Sequence, residues 1–298
     1  MSLTPRAVVV HRPTEYEELI ARHGTRGQAA FFLSTRGRQI EEVERRHELQ
    51  VAAMTAVTSS LPLDWRRGTV LRADLPRFLF SPEDVVIVVG QDGLVANVAK
   101  YLHGQPVIGV NPDPERNPGV LVPFGRDAAA QLIQHASDVQ RLPVQARTMV
   151  MAQLDDGQSL LALNEVFIGP PSHQTARYTL TLADGRSERQ ASSGVIVSTG
   201  TGATGWCRSI SLERRSEVRL PDPSEDRLAW FVREAWPSPA TGTQLTEGVL
   251  DAQTSLYLAV ESDGLVLFGD GIESDFVVAS WGQRVQIHES PNKLRLVH

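Results

Sequence analysis

Five consecutive apolar β-branched residues, Val85-Val86-Ile87-Val88-Val89, constrain this chain more than any other feature. A strand with no polar residue on either face must be covered on both, the condition of a strand in a parallel sheet flanked by helices. Gly90-Gln91-Asp92-Gly93 turns the chain directly after it. Leu94–Leu102 then reads as a helix closed by Gly104, and Pro106–Val110 as a second buried strand. That length suits a right-handed crossover between parallel neighbours. Upstream, Ala7–Val10 predicts a short strand and Tyr16–Arg22 an acidic helix, broken at Gly24 and Gly27. Ile40–Val57 carries Ile40, Val43, Leu49, Ala53 and Val57 at helical spacing, an amphipathic helix packed on the sheet.

After about residue 137 helical periodicity fades. Short β-rich runs follow: Thr148–Leu154, Leu160–Ile168, Arg177–Leu182, Val195–Ser198, Leu256–Val260, Leu265–Phe268 and Val285–Ile287. Asp155-Asp156-Gly157, Ala183-Asp184-Gly185 and Ser262-Asp263-Gly264 are turn signals between them. Ser216–Ser238, rich in proline and charge, predicts a surface excursion. The expected organisation is an α/β domain over 1–137 and an all-β, sandwich-like domain over 138–298, the last residues able to pack back on the first domain. A chain of 298 residues has room for both.

Composition removes several function classes. Lys and Arg total 29 against 35 Asp and Glu, a formal net charge of -6. That offers no broad attraction to nucleic acid or an anionic membrane. No apolar stretch approaches the roughly 20 residues that cross a bilayer. A single cysteine, Cys207, excludes an intramolecular disulfide framework, and the eight histidines lack metal-ligand spacing. A soluble, cytoplasmic protein without a metal-ligating cluster is expected.

Three segments can carry chemistry. Asp92 follows a buried strand and precedes a helix, where ligands gather in open α/β sheets and backbone N–H groups favour phosphate. It suits a general base for a hydroxyl, or a carboxylate beside magnesium and phosphates; equally, Gly-x-Asp-Gly makes a tight turn with Asp as helix N-cap. Gly200-Thr201-Gly202-Ala203-Thr204-Gly205 matches G-x-G-x-x-G, but it lies in the β-rich half and no helix with a clear apolar stripe follows. We therefore read it not as a Rossmann turn but as a loop able to cup a nucleotide base, with Trp206 as a stacking face. A flexible β-turn is the bland alternative. Asn164-Glu165 interrupts an apolar run, and the pair suits ribose hydroxyls or a base; an outward-facing pair on a half-exposed strand explains it as well.

In this order, Gly90-Gln91-Asp92-Gly93-Leu94, Ala162-Leu163-Asn164-Glu165-Val166-Phe167-Ile168 and Ser198-Thr199-Gly200-Thr201-Gly202-Ala203-Thr204-Gly205-Trp206 resemble successive motifs of the NAD kinases. Gly109-Val110-Asn111-Pro112-Asp113-Pro114-Glu115-Arg116 resembles the branch that includes the mitochondrial enzymes. The resemblance implies an N-terminal α/β domain, a C-terminal β domain and an active site in the cleft between them. The implied reaction transfers a phosphoryl group from ATP or polyphosphate, with Mg²⁺, to the 2′-hydroxyl of the adenosine ribose of NAD(H). It further implies Asp92 as the catalytic carboxylate and Gly90 and Gly93 beside phosphate. Asn164 and Glu165 would bind the adenosine, and Thr201, Gly202, Thr204 and Trp206 would lie around the adenine. Asp270-Gly271 matches a late element read as structural. A homodimer or homotetramer is the implied assembly.

The sequence departs from the family on its phosphate side. Gln91 stands where the family has a second Gly, and Leu94 where it has Thr. Ser193 and Ala203 replace a frequent Asp and Ser. A Gln side chain obstructs the close backbone approach that Gly permits, and Leu removes a hydroxyl donor. Two other readings therefore stand beside an NAD kinase: a nucleotide-binding protein of the same fold without efficient transfer, and a kinase for another hydroxyl substrate.

Overall fold

The computed structural model describes residues 5–135 and 142–298, so the expected boundary near residue 137 lies outside the described residues. Its contacts divide the chain into two units, 1–145 together with 295–298, and 146–294.

The first unit runs β1 (Arg6–His11), α1 (Glu15–His23), α2 (Arg26–Ser34), α3 (Ile40–Ser60), β2 (Arg66–Leu71), β3 (Asp84–Val89), α4 (Asp92–Ala99), β4 (Pro106–Asn111), β5 (Phe124–Gly125) and α5 (Arg126–His135). Its sheet has the order β2-β1-β3-β4, then the chain's final strand Leu294–Val297 and β6 (Val144–Arg147), with β5 beside β4. The β1–β2, β1–β3, β3–β4, β4–β5 and final-strand pairings are parallel. Every residue of β3 and β4 is buried, as unbroken apolar strands require. Val85, Ile87 and Val89 pack in one core with Ala53 and Val57 of α3 and Ala129 and Ile133 of α5. The buried Asp84 is held by Arg6 at 2.6 Å and by the Ser81 N–H, the pairing a carboxylate needs once it leaves water.

Two local expectations are corrected here. Gly27 does not end a helix; it lies in the first turn of α2, whose N-cap Thr25 accepts from the Gln28 N–H. Nor does the helix after β3 wait for Leu94. Gln91 is extended (φ -106°, ψ 166°) and acts as N-cap residue, so Asp92 and Gly93 are already helical and α4 ends at Ala99.

The second unit contains β7 (Val150–Leu154), β8 (Ser159–Ala162), β9 (Glu165–Gly169), β10 (Ala176–Thr181), β11 (Ser187–Ser192), β12 (Gly194–Ser198), α6 (Trp206–Arg214), β13 (Leu228–Arg233), β14 (Glu247–Leu250), β15 (Ser255–Val260), β16 (Gly264–Gly269), β17 (Phe276–Ser280) and β18 (Arg284–Glu289); the final strand is β19. They form two six-stranded sheets, β11-β10-β15-β18-β7-β8 and β14-β13-β12-β9-β16-β17. Val150, Tyr178, Leu258 and Ile287 of the first meet Ile168, Val195, Trp230 and Leu267 of the second in a single core. This is an α/β region followed by packed antiparallel sheets, the coarse class expected.

Two runs were misjudged from sequence. Leu160–Ile168 is not one strand: it breaks at Leu163-Asn164 into β8 and β9. Within Ser216–Ser238 lies β13, which is no surface excursion but sits between β12 and β14 with Leu228–Val232 buried. Among the described residues, no helix is long and apolar enough to cross a membrane.

Candidate functional site

Strand order alone marks one place in the first unit. The chain passes from β1 outward to β2, then back across β1 to β3 and on to β4. Connections therefore diverge between β1 and β3, and a crevice opens beyond the carboxyl ends of such strands. A pocket of about 460 Å³ lies there. Its lining includes the cations Arg12 and Arg46, the carboxylates Glu15, Glu18 and Asp113, His47, Gln91 and Asn111, with Gly90 at the end of β3. Arg46 is within 4 Å of Glu15 and Glu42 (3.4 and 3.7 Å) and His47 Nδ1 contacts Thr14 Oγ1 at 2.9 Å. Arg12 reaches only Gln91 Oε1, at 3.5 Å, and has no carboxylate partner among the described residues. Asp113 Oδ2 is buried without a hydrogen-bond partner among them. Arg12 was missed from sequence; its signal, a cation just after a buried parallel strand, becomes meaningful only with the strand order.

Asp92 is half-buried at the start of α4, and it is not an N-cap. Its carboxylate reaches across to the loop before β5: Oδ1 accepts from the N–H groups of Val120 (3.0 Å), Leu121 (2.8 Å) and Val122 (3.2 Å). Among the described residues Oδ2 accepts only from Val120, at 2.9 Å. One oxygen is thus saturated by backbone, and the other retains a free lone-pair direction. Leu94 is buried and lies over Gly90, where an added Cβ would meet Leu94 Cδ2 at 3.1 Å. The departures from the family therefore have distinct places: Gln91 at the pocket wall beside Arg12, and Leu94 in the packing beneath it. Around Gly93 an added Cβ would meet nothing within 4 Å.

In the second unit, the structure brings Asn164, Glu165, Thr201 and Gly202 together. The Asn164 carbonyl accepts from the Thr199 N–H (2.9 Å) and Ser198 Oγ (3.2 Å). Thr199 Oγ1 donates to the Leu163 carbonyl (2.6 Å) and accepts from the N–H groups of Thr201 and Gly202. A Cβ on Gly202 would stand 2.2 Å from the Asn164 carbonyl oxygen, so glycine here serves a close backbone crossing. The partner of β12 on the far side of the loop, β13, is antiparallel, which rules out a Rossmann crossover.

With the backbone so occupied, side chains are left over. The Asn164 amide and the Glu165 carboxyl make no hydrogen bond among the described residues, and the Thr201 hydroxyl is buried with none. Burial first, and the nearby Asp270 charge second, push the Glu165 carboxyl up to about 7. The Thr201 hydroxyl is a buried polar atom of the kind that is otherwise satisfied, and the half-buried Asn164 and Glu165 side chains beside it are open to a polar ligand.

Thr204 and Trp206 are less free. Thr204 is exposed and its hydroxyl donates to the Thr201 carbonyl at 3.0 Å. The Trp206 ring already stacks on Phe167, centroids 5.7 Å apart, and carries the Arg233 guanidinium 5.2 Å from its centre. Nearby Cys207 is buried, and burial pushes its thiol up to about 11 against the opposing hydrogen bond with Ser198. The thiolate fraction at pH 8 is then on the order of one in a thousand. Native protein should leave a thiol-reactive dye unchanged over an hour while denatured protein takes up one equivalent; rapid native labelling would contradict this burial.

Comparison with known proteins bears on these places. Over 218 residues, 72% of this chain and 71% of the relative, the sequence is 27% identical to an NAD kinase of Chlorobaculum tepidum. It is 27% identical over 312 residues to mitochondrial NAD kinase 2 of Homo sapiens, covering 88% of this chain and 69% of that protein. By sequence, the chain is similar to the NAD kinases. The mitochondrial branch includes the rat NAD kinase 2, 27% identical over 255 residues; that match covers 69% of this chain and 60%, under two thirds, of the relative. No protein-family model matches the chain.

Proposed function

We propose that this chain is an NAD kinase-type phosphotransferase, transferring a phosphoryl group from ATP or polyphosphate to the 2′-hydroxyl of the adenosine ribose of NAD(H). The observation that carries the reading is the buried Thr201 hydroxyl without a hydrogen-bond partner among the described residues, beside the half-buried Asn164 and Glu165 side chains, on the segments that match the family's substrate motifs. Asn164 and Glu165 hold the adenosine portion. Thr201 and Gly202 bound it, and Thr204 and Trp206 shape the loop around them. The switch-point pocket takes the donor's phosphates, with the Gly90 and Gly93 backbone beside them and Arg12 supplying positive charge. Asp92 accepts the hydroxyl proton at Oδ2 while Oδ1 stays tied to the backbone.

Among the described residues no three His, Cys, Asp or Glu side chains are grouped to hold a metal. Mg²⁺ binds through the donor's phosphates, its own waters and one or two carboxylates. Asp113, with an unpartnered oxygen at the pocket, is the carboxylate that would join it. When bound, the ion offsets charge on the phosphates. A homodimer or homotetramer belongs to the same proposal and is read by light scattering.

A specific test follows from Arg12. Arg12→Ala should raise the KM for the phosphate donor about tenfold, the effect of losing a contact worth about 1.4 kcal/mol, and leave the Kd for NAD within twofold. A changed Kd with an unchanged donor KM would place Arg12 elsewhere.

One observation favours a second reading, a nucleotide-binding protein that transfers no phosphate: Asp92 spends most of its accepting capacity on Val120–Val122. NADP production by the purified protein separates the two, with turnover supporting the first and tight NAD binding without turnover the second.

A further inference from the structure

Asp270 follows the last residue of β16, and its backbone is left-handed at φ 55°, a conformation that a non-glycine residue holds only when its surroundings demand it. The surroundings here are the turn between β8 and β9. The two carboxylate oxygens of Asp270 accept from the N–H groups of Leu163 (3.1 Å) and Asn164 (2.6 Å). Its own N–H donates to the Glu165 carbonyl at 3.1 Å. A single residue more than a hundred positions away thus closes the turn that presents the Asn164 and Glu165 side chains.

Through that backbone contact Asp270 borders Glu165, and after burial its charge is the second cause that raises the Glu165 carboxyl. The other titratable group facing Glu165 is the Cys207 thiol of α6, neutral at physiological pH. From β12 comes Ser198, paired with Glu165 across the sheet, which carries no charge. Among the described residues no cation acts on Glu165, so burial and Asp270 govern its charge state.

We propose that Asp270 is a positioning residue that sets both the place and the charge state of Glu165, so that capture of a ribose diol releases a proton. The inference rests on the reading that Asn164 and Glu165 hold the ligand. In the bound ground state a vicinal diol offers two O–H donors, and only the ionised carboxylate accepts both; the 2′-hydroxyl turns its single proton from Glu165 to Asp92 only when transfer begins. Free Glu165 is largely protonated below neutrality and largely ionised above it. Binding the diol shifts it to the ionised form and expels the proton. By linkage, affinity rises with pH while free Glu165 remains protonated and levels off once it is ionised. With its midpoint at about 7, NAD affinity should increase about tenfold between pH 6 and pH 8.

The test is calorimetric titration of NAD into the full chain at pH 6, 7 and 8. Running it in phosphate and in Tris, whose ionisation heats differ, counts the protons released. Alongside it, carbon NMR of Glu-labelled protein without ligand follows the Glu165 titration directly. Wild-type protein should release protons at pH 7 and show the tenfold rise. Asp270→Asn removes the charge but keeps an acceptor for the Asn164 N–H. Its Glu165 should titrate at lower pH, with less proton release at pH 7 and a flatter profile. Glu165→Gln should bind without pH dependence. The proposal is overturned if Asp270→Asn leaves the Glu165 titration where it was, or weakens NAD binding equally at every pH. It is overturned as well if wild-type binding releases no proton. Failure of NAD to bind at any pH rejects the ligand assignment and with it the diol coupling. The NMR titration still decides in that case whether Asp270 governs Glu165.

Discussion

Asp92→Asn is expected to lower NADP formation by about 10²–10⁴-fold, the usual contribution of a positioned general base. NAD binding should persist, because the Asn164–Glu165 and Thr201–Gly202 segments belong to the other unit. The substitution has a second consequence that must be measured with the first. Asp92 also anchors Val120, Leu121 and Val122 through backbone N–H groups at 2.8–3.2 Å. An amide in its place turns one acceptor into a donor facing N–H groups. Loss of a hydrogen bond to a charged group costs about 1.5–3 kcal/mol. The variant should therefore melt earlier, and the amides of 120–122 should exchange faster with solvent. A large loss of rate with a modest loss of stability supports Asp92 as base. Turnover equal to wild type would remove that role and leave only the anchor.

Gly202→Ala should damage the site by a different route. Its Cβ would lie 2.2 Å from the Asn164 carbonyl oxygen, 2.5 Å from that carbonyl carbon and 2.6 Å from Ser198 Oγ. Two of these are backbone atoms fixed by the Thr199 hydrogen bonds, so the Gly loop must lift away from the Asn164 turn. Overpacking of this kind costs about 1–3 kcal/mol. At 1.4 kcal/mol per decade, NAD affinity should fall about tenfold or more, because Thr201 and Asn164 no longer meet. Gly264→Ala, where the nearest atom is Val278 Cγ1 at 3.8 Å, is the control and should change neither stability nor binding. Equal tolerance of both substitutions would show that the close crossing at Gly202 does not shape the site.

What the sequence disclosed follows from where its physical signals are local. Val85–Val89 announces itself because a strand covered on both faces has no place for polar residues, and Ile40–Val57 because one face of a long helix meets the sheet. β2, at the sheet edge with only Val70 buried, leaves no such run. β13 was hidden by its flanks: prolines and charges on both sides mask six residues that are central in the fold. α2 was lost because Gly27 falls in the helix's first turn, where a glycine does not stop it.

The candidate site divides the same way. Residue types in ordered motifs pointed to Asp92, Asn164, Glu165 and the Gly200–Gly205 loop. Their partners are long-range and left no mark on the sequence: Asp92 with residues 28–30 positions on, and Asn164 with Asp270. Asn164 was misread as part of a strand because its polarity was legible and its turn, held by Asp270, was not. Arg12 became visible only when the strand order placed it opposite Gln91.

The most direct measurement is NADP production by the purified protein with NAD, Mg²⁺ and either ATP or polyphosphate, run beside a calorimetric titration with NAD. The account predicts NAD binding, and NADP formation that Asp92→Asn suppresses, showing that Gln91 and Leu94 are compatible with transfer. Binding of NAD with no NADP from either donor would contradict it and leave a nucleotide-binding protein built on the same fold.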